Sequence, residues 1–332
     1  MLNDKTILIT GGTGSFGKIF VSSIFNNYRP KKVIIYSRDE YKQFVMRQLF
    51  KEYDHSIRYF IGDIRDKNRL YRAFDRVDYV IHAAALKQVP VCEYNPFEAV
   101  NTNIVGAQNI IDAAIDKGVK RVIALSTDKA VNPVNLYGAT KLASDKIFIS
   151  ANAYATHSDS VFSVVRYGNV AGSRGSVIPF FKMLIDKGAT ELPITDMRMT
   201  RFWITLDEAV NLVFTALEKS KGGEIYVSKI PSFKIVDLAK AIKPDATLKE
   251  VGIREGEKLH EVMITEYDSF STYEYENVYI IYPNFEWWNL KTHFTPGGKK
   301  VSEFFRYASE SNQDWLSIDD IQNRLRNIDL VP

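Results

Sequence analysis

The chain has 332 residues, 45% hydrophobic and 25% charged, with a formal net charge of +3. That is an ordinary soluble composition, long enough for two lobes or for one large sheet domain with an appended lobe, and the small, evenly spread charge gives no reason to expect nucleic acid or a membrane surface as a partner. A single cysteine, Cys92, excludes a disulfide within the chain; with no metal-ligand spacing and no apolar run near the ~18 residues of a membrane span, a soluble, cytoplasmic protein that holds no metal is expected.

The first predicted strand, Thr6–Thr10, runs straight into Thr10-Gly-Gly-Thr-Gly-Ser-Phe-Gly17 and a predicted helix over Phe16–Asn26. Gly11, Gly14 and Gly17 are spaced by three, with Thr13, Ser15 and Phe16 between them. In that setting the early glycines allow a tight turn and a close backbone approach to a pyrophosphate, and the last lets the helix pack on the strand. The free amides at the helix N-terminus then face the phosphates. The second strand, Val33–Tyr36, ends in Ser37-Arg38-Asp39-Glu40, with Lys42 close behind. NAD-binding turns place an acid there for the ribose 2′-hydroxyl. Here Ser37 and Arg38 come first, and a guanidinium suits the 2′-phosphate of NADP; Asp39 could pair with Arg38 or hold a ribose hydroxyl. Tyr28 and Lys32 have the spacing of a catalytic Tyr-x-x-x-Lys pair, but Pro30 denies them a helix.

A predicted helix, Asp39–Tyr53, leads to a third strand, Ile57–Ile61, and to Gly62-Asp63-Ile64, where Asp63 could accept from an adenine amino group. The fourth strand, Tyr79–His82, is followed by Ala83-Ala-Ala85, small enough for a cofactor to lie flat. Beyond a predicted helix over Phe97–Lys117, the strand Val122–Ser126 delivers Thr127-Asp128-Lys129, an acid and a base side by side. Tyr137 and Lys141 follow in a predicted helix, Leu136–Tyr154, four apart and so on one face. There the lysine ammonium can depress the tyrosine from a reference pKa of about 10 towards that of a usable base. A sixth strand is predicted over Phe162–Arg166.

Most of these strands are continuous apolar runs, as expected when both faces are buried. Strand alternating with crossover helix means a doubly wound parallel sheet, an α/β Rossmann fold. After about Gly168 the rhythm loosens. Residues 1–168 therefore read as the NADP-binding domain, with some later segments returning to it. Residues 169–332 read as mainly a smaller C-terminal substrate lobe, with a helix near Leu206–Lys219. The four tyrosines of Tyr273–Tyr282 suit a strand that buries aromatics, and Cys92 a buried structural thiol.

The glycine turn, Asp63, His82-Ala-Ala-Ala85, Tyr137 with Lys141, and Arg201-Phe-Trp-Ile-Thr-Leu-Asp207 together resemble the extended short-chain dehydrogenase/reductases that act on nucleotide sugars. Within that group, Leu125-Ser-Thr-Asp-Lys-Ala130, Asn135-Leu-Tyr-Gly-Ala-Thr-Lys141, Met199-Thr-Arg-Phe-Trp203 and Gly256-Glu-Lys-Leu-His-Glu261 look like the inverting UDP-N-acetylglucosamine 4,6-dehydratases that begin pseudaminic acid synthesis. The likeness runs from about residue 5 to 265. It implies oxidation of carbon 4 with Tyr137 as base, removal of the carbon 5 proton by Lys129 with a lowered pKa, and protonation of the departing 6-hydroxyl by Asp128 with a raised one. Thr127 would hold the substrate oxygen. The resemblance further implies Val170 at the cofactor, Lys87 and Asn169 near the sugar, and Arg174, Val177, Thr195, Arg201, Arg254 and Glu257 around the nucleotide. Arg201 could instead pair with Asp207, and Glu257 with Lys258. A homo-oligomer is expected on the resemblance alone. The competing readings are a 4-epimerase, a carbon-5-retaining dehydratase and a non-catalytic NADP-binding scaffold.

Overall fold

The computed structural model describes residues 1–155, 158–173, 175–286, 288 and 293–326. Six strands open the chain: β1 (Thr6–Thr10), β2 (Lys32–Ser37), β3 (Ile57–Ile61), β4 (Tyr79–His82), β5 (Arg121–Thr127) and β6 (Val161–Tyr167). They lie parallel in the order β3-β2-β1-β4-β5-β6, the doubly wound arrangement expected from the sequence. Alternate residues feed two cores. Leu8, Ile34, Val80 and Val122 face one side, and Ile7, Ile9, Ile35 and Ile123 the other. Each such aliphatic, fully buried, contributes about 1.5–3 kcal/mol, and that is why these strands carry no polar alternation.

The connecting helices are α1 (Ser15–Asn27), α2 (Glu40–Leu49), α3 (Lys67–Ala73), α4 (Val89–Tyr94), α5 (Pro96–Val100), α6 (Gly106–Lys117) and α7 (Leu136–Tyr154). Three departures from the sequence pattern have local causes. Residues 39–53 do not form one helix: α2 ends at Phe50 and a 3-10 turn, Lys51–Tyr53, follows. The stretch over 97–117 is interrupted by a π-turn at Asn101–Val105 that directs Asn103 inward. Its amide bonds the Leu86 N–H and carbonyl, each at 2.9 Å, and donates to Thr140 Oγ1 at 3.0 Å. The short helices α3 and α4 bury too few residues to show a period; α3 starts because Asp66 accepts from the Arg69 N–H.

Beyond β6 the strand Ile225–Ser228 adds to the same sheet in parallel, and Val278–Ile281, Thr272–Glu274 and Lys299–Lys300 extend it antiparallel. Tyr273–Tyr282 is thus a hairpin rather than one strand, and Tyr273 and Tyr282 stack edge-on at 5.5 Å. Cys92 is fully buried. A third core gathers helices Val177–Asp186 and Ile235–Ile242 around Trp203 and Phe233, beside a small sheet of Asn169–Val170, Thr200–Ile204 and Ser232–Lys234. The helix Leu206–Lys219, closed by a Thr205–Glu208 capping box, packs on the α1 face. Among the described residues, no helix is long and apolar enough to cross a membrane.

β4 pairs with β5 only as far as His82 and Ala124, and β5 continues with β6 to Thr127. This overhang carries residues 127–129 past the edge of the neighbouring strand. Helix α7 then packs on the 3-10 turn Asp128–Ala130 so closely that a Cβ at Gly138 would stand 2.1 Å from the Lys129 carbonyl oxygen. Gly138→Ala should therefore destabilise the protein by about 1–3 kcal/mol, read as a lowered urea midpoint. An unchanged midpoint would mean that α7 is not pressed onto the turn.

Candidate active site

The carboxyl ends of the strands border a cavity of about 660 Å³. At its glycine-turn side Gly11 has φ +65, and a Cβ there would lie 2.8 Å from the Ala84 nitrogen, so only glycine lets β1 turn this close to the end of β4. Gly14 caps α1 without a side-chain bond, which leaves the first amides of the helix free for an anion. Thr13 Oγ1 and Ser37 Oγ bond at 2.9 Å across the turn.

Beyond β2, Asp39 is committed to α2. It accepts from the Lys42 N–H at 2.9 Å and pairs with Lys42 Nζ at 2.9 Å, not with Arg38. Arg38 instead reaches Asp63, 3.5 Å away, which Arg65 also grips at 2.7 Å. Burial works to raise Asp63, but the Arg65 bonds hold it below the usual carboxylate range. Every residue expected at the cofactor lines the cavity except Glu40, which opens α2 beyond its Asp39 cap and faces solvent.

Thr127 and Lys129 line the cavity, and Asp128 is fully buried behind them. Asp128 Oδ1 accepts from Thr127 Oγ1 at 2.9 Å and from Lys129 Nζ at 3.1 Å. A second carboxylate, unforeseen from sequence, completes the centre. Glu261, buried, places Oε1 3.4 Å from Lys129 Nζ and 3.6 Å from Arg201 Nε. Burial, reinforced by Glu261, pushes Asp128 above the usual carboxylate range, as the sequence reading required. Lys129 goes the other way from expectation. Burial opposes its charge, but the Asp128 and Glu261 carboxylates outweigh it and hold the ammonium above the usual lysine range.

Tyr137 and Lys141 share the cavity-facing side of α7, which Asn135 caps by accepting from the Gly138 N–H at 2.7 Å. The expectation that Lys141 lowers Tyr137 is corrected. Burial pushes Tyr137 up to about 12, and the main opposing influence is the Lys129 charge. Lys141 is itself lowered by burial, with Asp145 as its opposing charge. Asp145 accepts from Ser126 Oγ at 2.6 Å and lies 3.7 Å from Arg166. Beneath the floor, His82 bonds Thr10 at 2.8 Å and is lowered to about 3, first by burial and then by Lys141, so the imidazole is neutral.

Of the residues expected around a substrate, Lys87 and Asn169 line the cavity, and Asn169 Oδ1 is buried without a partner. Val177, Thr195, Arg201, Arg254 and Glu257 do not line it. Arg201 is buried, pairs with Glu261 rather than Asp207, and donates to the carbonyls of Thr200, Leu259 and Lys258 at 2.7, 3.1 and 3.0 Å. Arg254 and Glu257 pair with each other at 3.9 Å on the turn that meets Asn135, whose amide donates to the Gly256 carbonyl. Arg174 lies outside the described residues. Gln88, Tyr167, Ser173 and Ser176 also line the cavity; no spacing in the sequence singled them out. Among the described residues no cluster could hold a metal.

A family model described as polysaccharide biosynthesis protein matches residues 7–283. The chain is 57% identical over 322 residues to the inverting UDP-N-acetylglucosamine 4,6-dehydratase of Campylobacter jejuni, with 96% of each covered. It is 40% identical over 340 residues to the UDP-glucose 4-epimerase of Rickettsia canadensis, covering 100% of this chain and 98% of that one. Among solved structures, Pen from Bacillus thuringiensis matches with a TM-score of 0.91 and 38% identity over 100% of both chains. DesIV, the dTDP-glucose 4,6-dehydratase of Streptomyces venezuelae solved with NAD and TYD bound, matches with a TM-score of 0.68 and 25% identity, covering 76% of this chain and 86% of that one.

The burial of Arg201 makes it a partner of Glu261 first. Arg201→Met should destabilise the fold by about 3–5 kcal/mol, the usual cost of breaking a buried pair, whereas the exposed Arg254→Met should leave the urea midpoint where it was. An Arg201→Met protein of parent stability that had lost only nucleotide affinity would return Arg201 to the substrate.

Proposed function

The chain belongs to the polysaccharide biosynthesis protein family, and from that premise we propose that it is an NADP-dependent UDP-N-acetylglucosamine 4,6-dehydratase that inverts carbon 5. One observation carries the reading: a buried acid, Asp128, and the Lys129 amine share a hydrogen bond of 3.1 Å beside Tyr137. A 4-epimerase, the activity named for the Rickettsia relative, needs the tyrosine and a hydroxyl but no such pair.

The residues fit a nicotinamide dinucleotide, since Gly11 keeps the turn open to a pyrophosphate and the amides of α1 are uncapped. Bound there, the cofactor would accept a hydride from carbon 4 and return it at carbon 6. NADP is the better match because Asp39 is spent on capping α2 and Arg38 stands at the cavity wall. Tyr137, as the tyrosinate that the Lys129 charge favours, takes the proton of the 4-hydroxyl, with Thr127 holding the oxygen, and the new ketone acidifies the proton on carbon 5.

Elimination then needs a neutral amine and an undissociated acid. The resting pair, ammonium and carboxylate, contains one proton. Moving it from Lys129 Nζ to Asp128 Oδ1 makes both groups at once, with no exchange with solvent. Lys129 removes the carbon 5 proton, the electrons of that bond form the carbon 5–carbon 6 double bond, and the carbon 6–oxygen bond breaks. The oxygen leaves as water with the proton of Asp128. Lys87 and Asn169 flank the sugar, and residues 169–332 supply most of the substrate lobe. We place the enzyme in the cytoplasm as a homo-oligomer at the first step of pseudaminic acid synthesis, on its likeness to the inverting branch.

Three experiments test this. Incubation with UDP-N-acetylglucosamine in heavy water, without added electron donor, should give a product lighter by one water and carrying deuterium at carbon 5. Early NMR should show the β-L-arabino configuration; a D-xylo product would keep the dehydratase and remove inversion, and an unchanged mass would favour the epimerase. Lys129→Met should lose about 10²–10⁴-fold in water loss yet still show transient NADPH absorbance in a single turnover, which Tyr137→Phe should not. The third test is cofactor choice. Arg38→Ala should weaken NADP about 10-fold or more and NAD much less; equal losses would remove the NADP assignment.

A further inference from the structure

Glu261 is absent from the cavity lining, yet its carboxylate lies nearer Lys129 than any charge except Asp128 among the ion pairs of the described residues. Its frame is rigid. The Glu261 N–H donates to Ser309 Oγ at 2.9 Å, the Ser309 N–H donates to the Glu261 carbonyl at 2.8 Å, and Ser309 Oγ bonds Thr200 Oγ1 at 2.7 Å. Oε2 is buried with no hydrogen-bond partner. A buried carboxylate so placed, one oxygen on a lysine and an arginine and the other unmatched, is costly unless its charge is used.

We propose that Glu261 is a positioning residue for the elimination step: it keeps in the site the single proton that Asp128 and Lys129 share. The inference rests on the dehydratase reading of that pair. The pair works with one proton only. With none there is no acid for the leaving hydroxyl, and with two there is no base for carbon 5. The charged and titratable groups facing Lys129 are Asp128 on its own turn, Glu261 and Lys258 on the 254–261 segment, Arg201 on the strand Thr200–Ile204, Tyr137 on α7 and Lys87 after β4. Three of these are cations, and each drives a proton off the pair. Only Asp128 and Glu261 hold it. Glu261 favours the proton-bearing form of Asp128 and of Lys129 alike, so removing its charge moves both ends of the working range in one direction, to lower pH.

The test is the pH profile of water loss from UDP-N-acetylglucosamine in single turnovers, for the parent, Glu261→Gln and Glu261→Asp. Glu261→Gln keeps the shape and loses the charge; its alkaline limb should fall by about one pH unit or more, the usual effect of a charge at this range. Glu261→Asp should restore the limb most of the way even where its turnover is reduced. A second arm needs no substrate. In protein labelled at the lysine ε-carbons, the Lys129 resonance, assigned by its loss in Lys129→Met, should titrate at lower pH in Glu261→Gln than in the parent. An unmoved limb or an unmoved resonance overturns the proposal, and so does a Glu261→Gln enzyme slowed equally at every pH, which is what a purely structural glutamate would give. Should the parent not dehydrate this sugar, the dehydratase reading falls, while the resonance arm still decides whether Glu261 holds the proton of Lys129.

Discussion

One half-buried ammonium, that of Lys129, joins the first half of this molecule to the second. A charge removed from water must be matched nearby or it is lost to neutralisation. Here the match comes from two directions, Asp128 on the same turn at 3.1 Å and Glu261 from more than a hundred residues later at 3.4 Å. Arg201 balances Glu261, so the four charges sum to zero within one desolvated cluster. The strand Thr200–Ile204 and the segment leading to Val262–Ile264 are therefore bound to the end of β5 by electrostatics as much as by packing. The doubly wound sheet and the later segments meet in one charge cluster, not as neighbours that happen to touch.

The sheet supplies the geometry that makes this cluster useful. Because β5 runs three residues beyond its last pairing with β4, Thr127 stands clear of the floor formed by Ala83–Ala85. The glycine turn occupies the other side of that floor, and a neutral His82 lies beneath it without adding charge. Asn103, turned inward by the π-turn, fixes the Leu86 backbone to Thr140 of α7. Lys87 and Tyr137 are thereby set from one internal bond network on two separate elements.

What the sequence revealed followed from how local the physics is. Continuous β-branched runs, a glycine triplet and an i, i+4 pair are short-range patterns, and the strands, the phosphate turn and the Tyr137–Lys141 face all read directly from them. Protonation states are not local. The resemblance made Lys129 a base with a pKa lowered by burial or nearby cations; the carboxylate of Glu261, which acts the other way, arrives only through the fold. Tyr137 looked tuned by Lys141 because the two share a helix face, whereas Lys129 proves the larger influence and Lys141 answers to Asp145. The resemblance placed Arg201 around the nucleotide, and nothing beside it in the chain shows that its guanidinium is held by the backbone of residues 258–259.

The raised Lys129 pKa is at first sight the wrong condition for a base, but in the proposed elimination the pair and not the residue would be the catalytic unit. On that proposal, before elimination the proton sits on Asp128 and the amine is free. Afterwards Asp128 has given its proton to the departing oxygen and Lys129 has taken one from carbon 5. The pair is then ammonium and carboxylate again, the arrangement that burial among Asp128, Glu261 and Arg201 favours at rest. The electrostatics that make the free amine unfavourable beforehand thus favour its protonation during the step itself. The cost of the first proton shift from Lys129 to Asp128 is returned when the step regenerates the ion pair, so the pair is reset without exchange with solvent. A lysine with a low pKa in isolation would be a base more of the time and would gain less from acting as one.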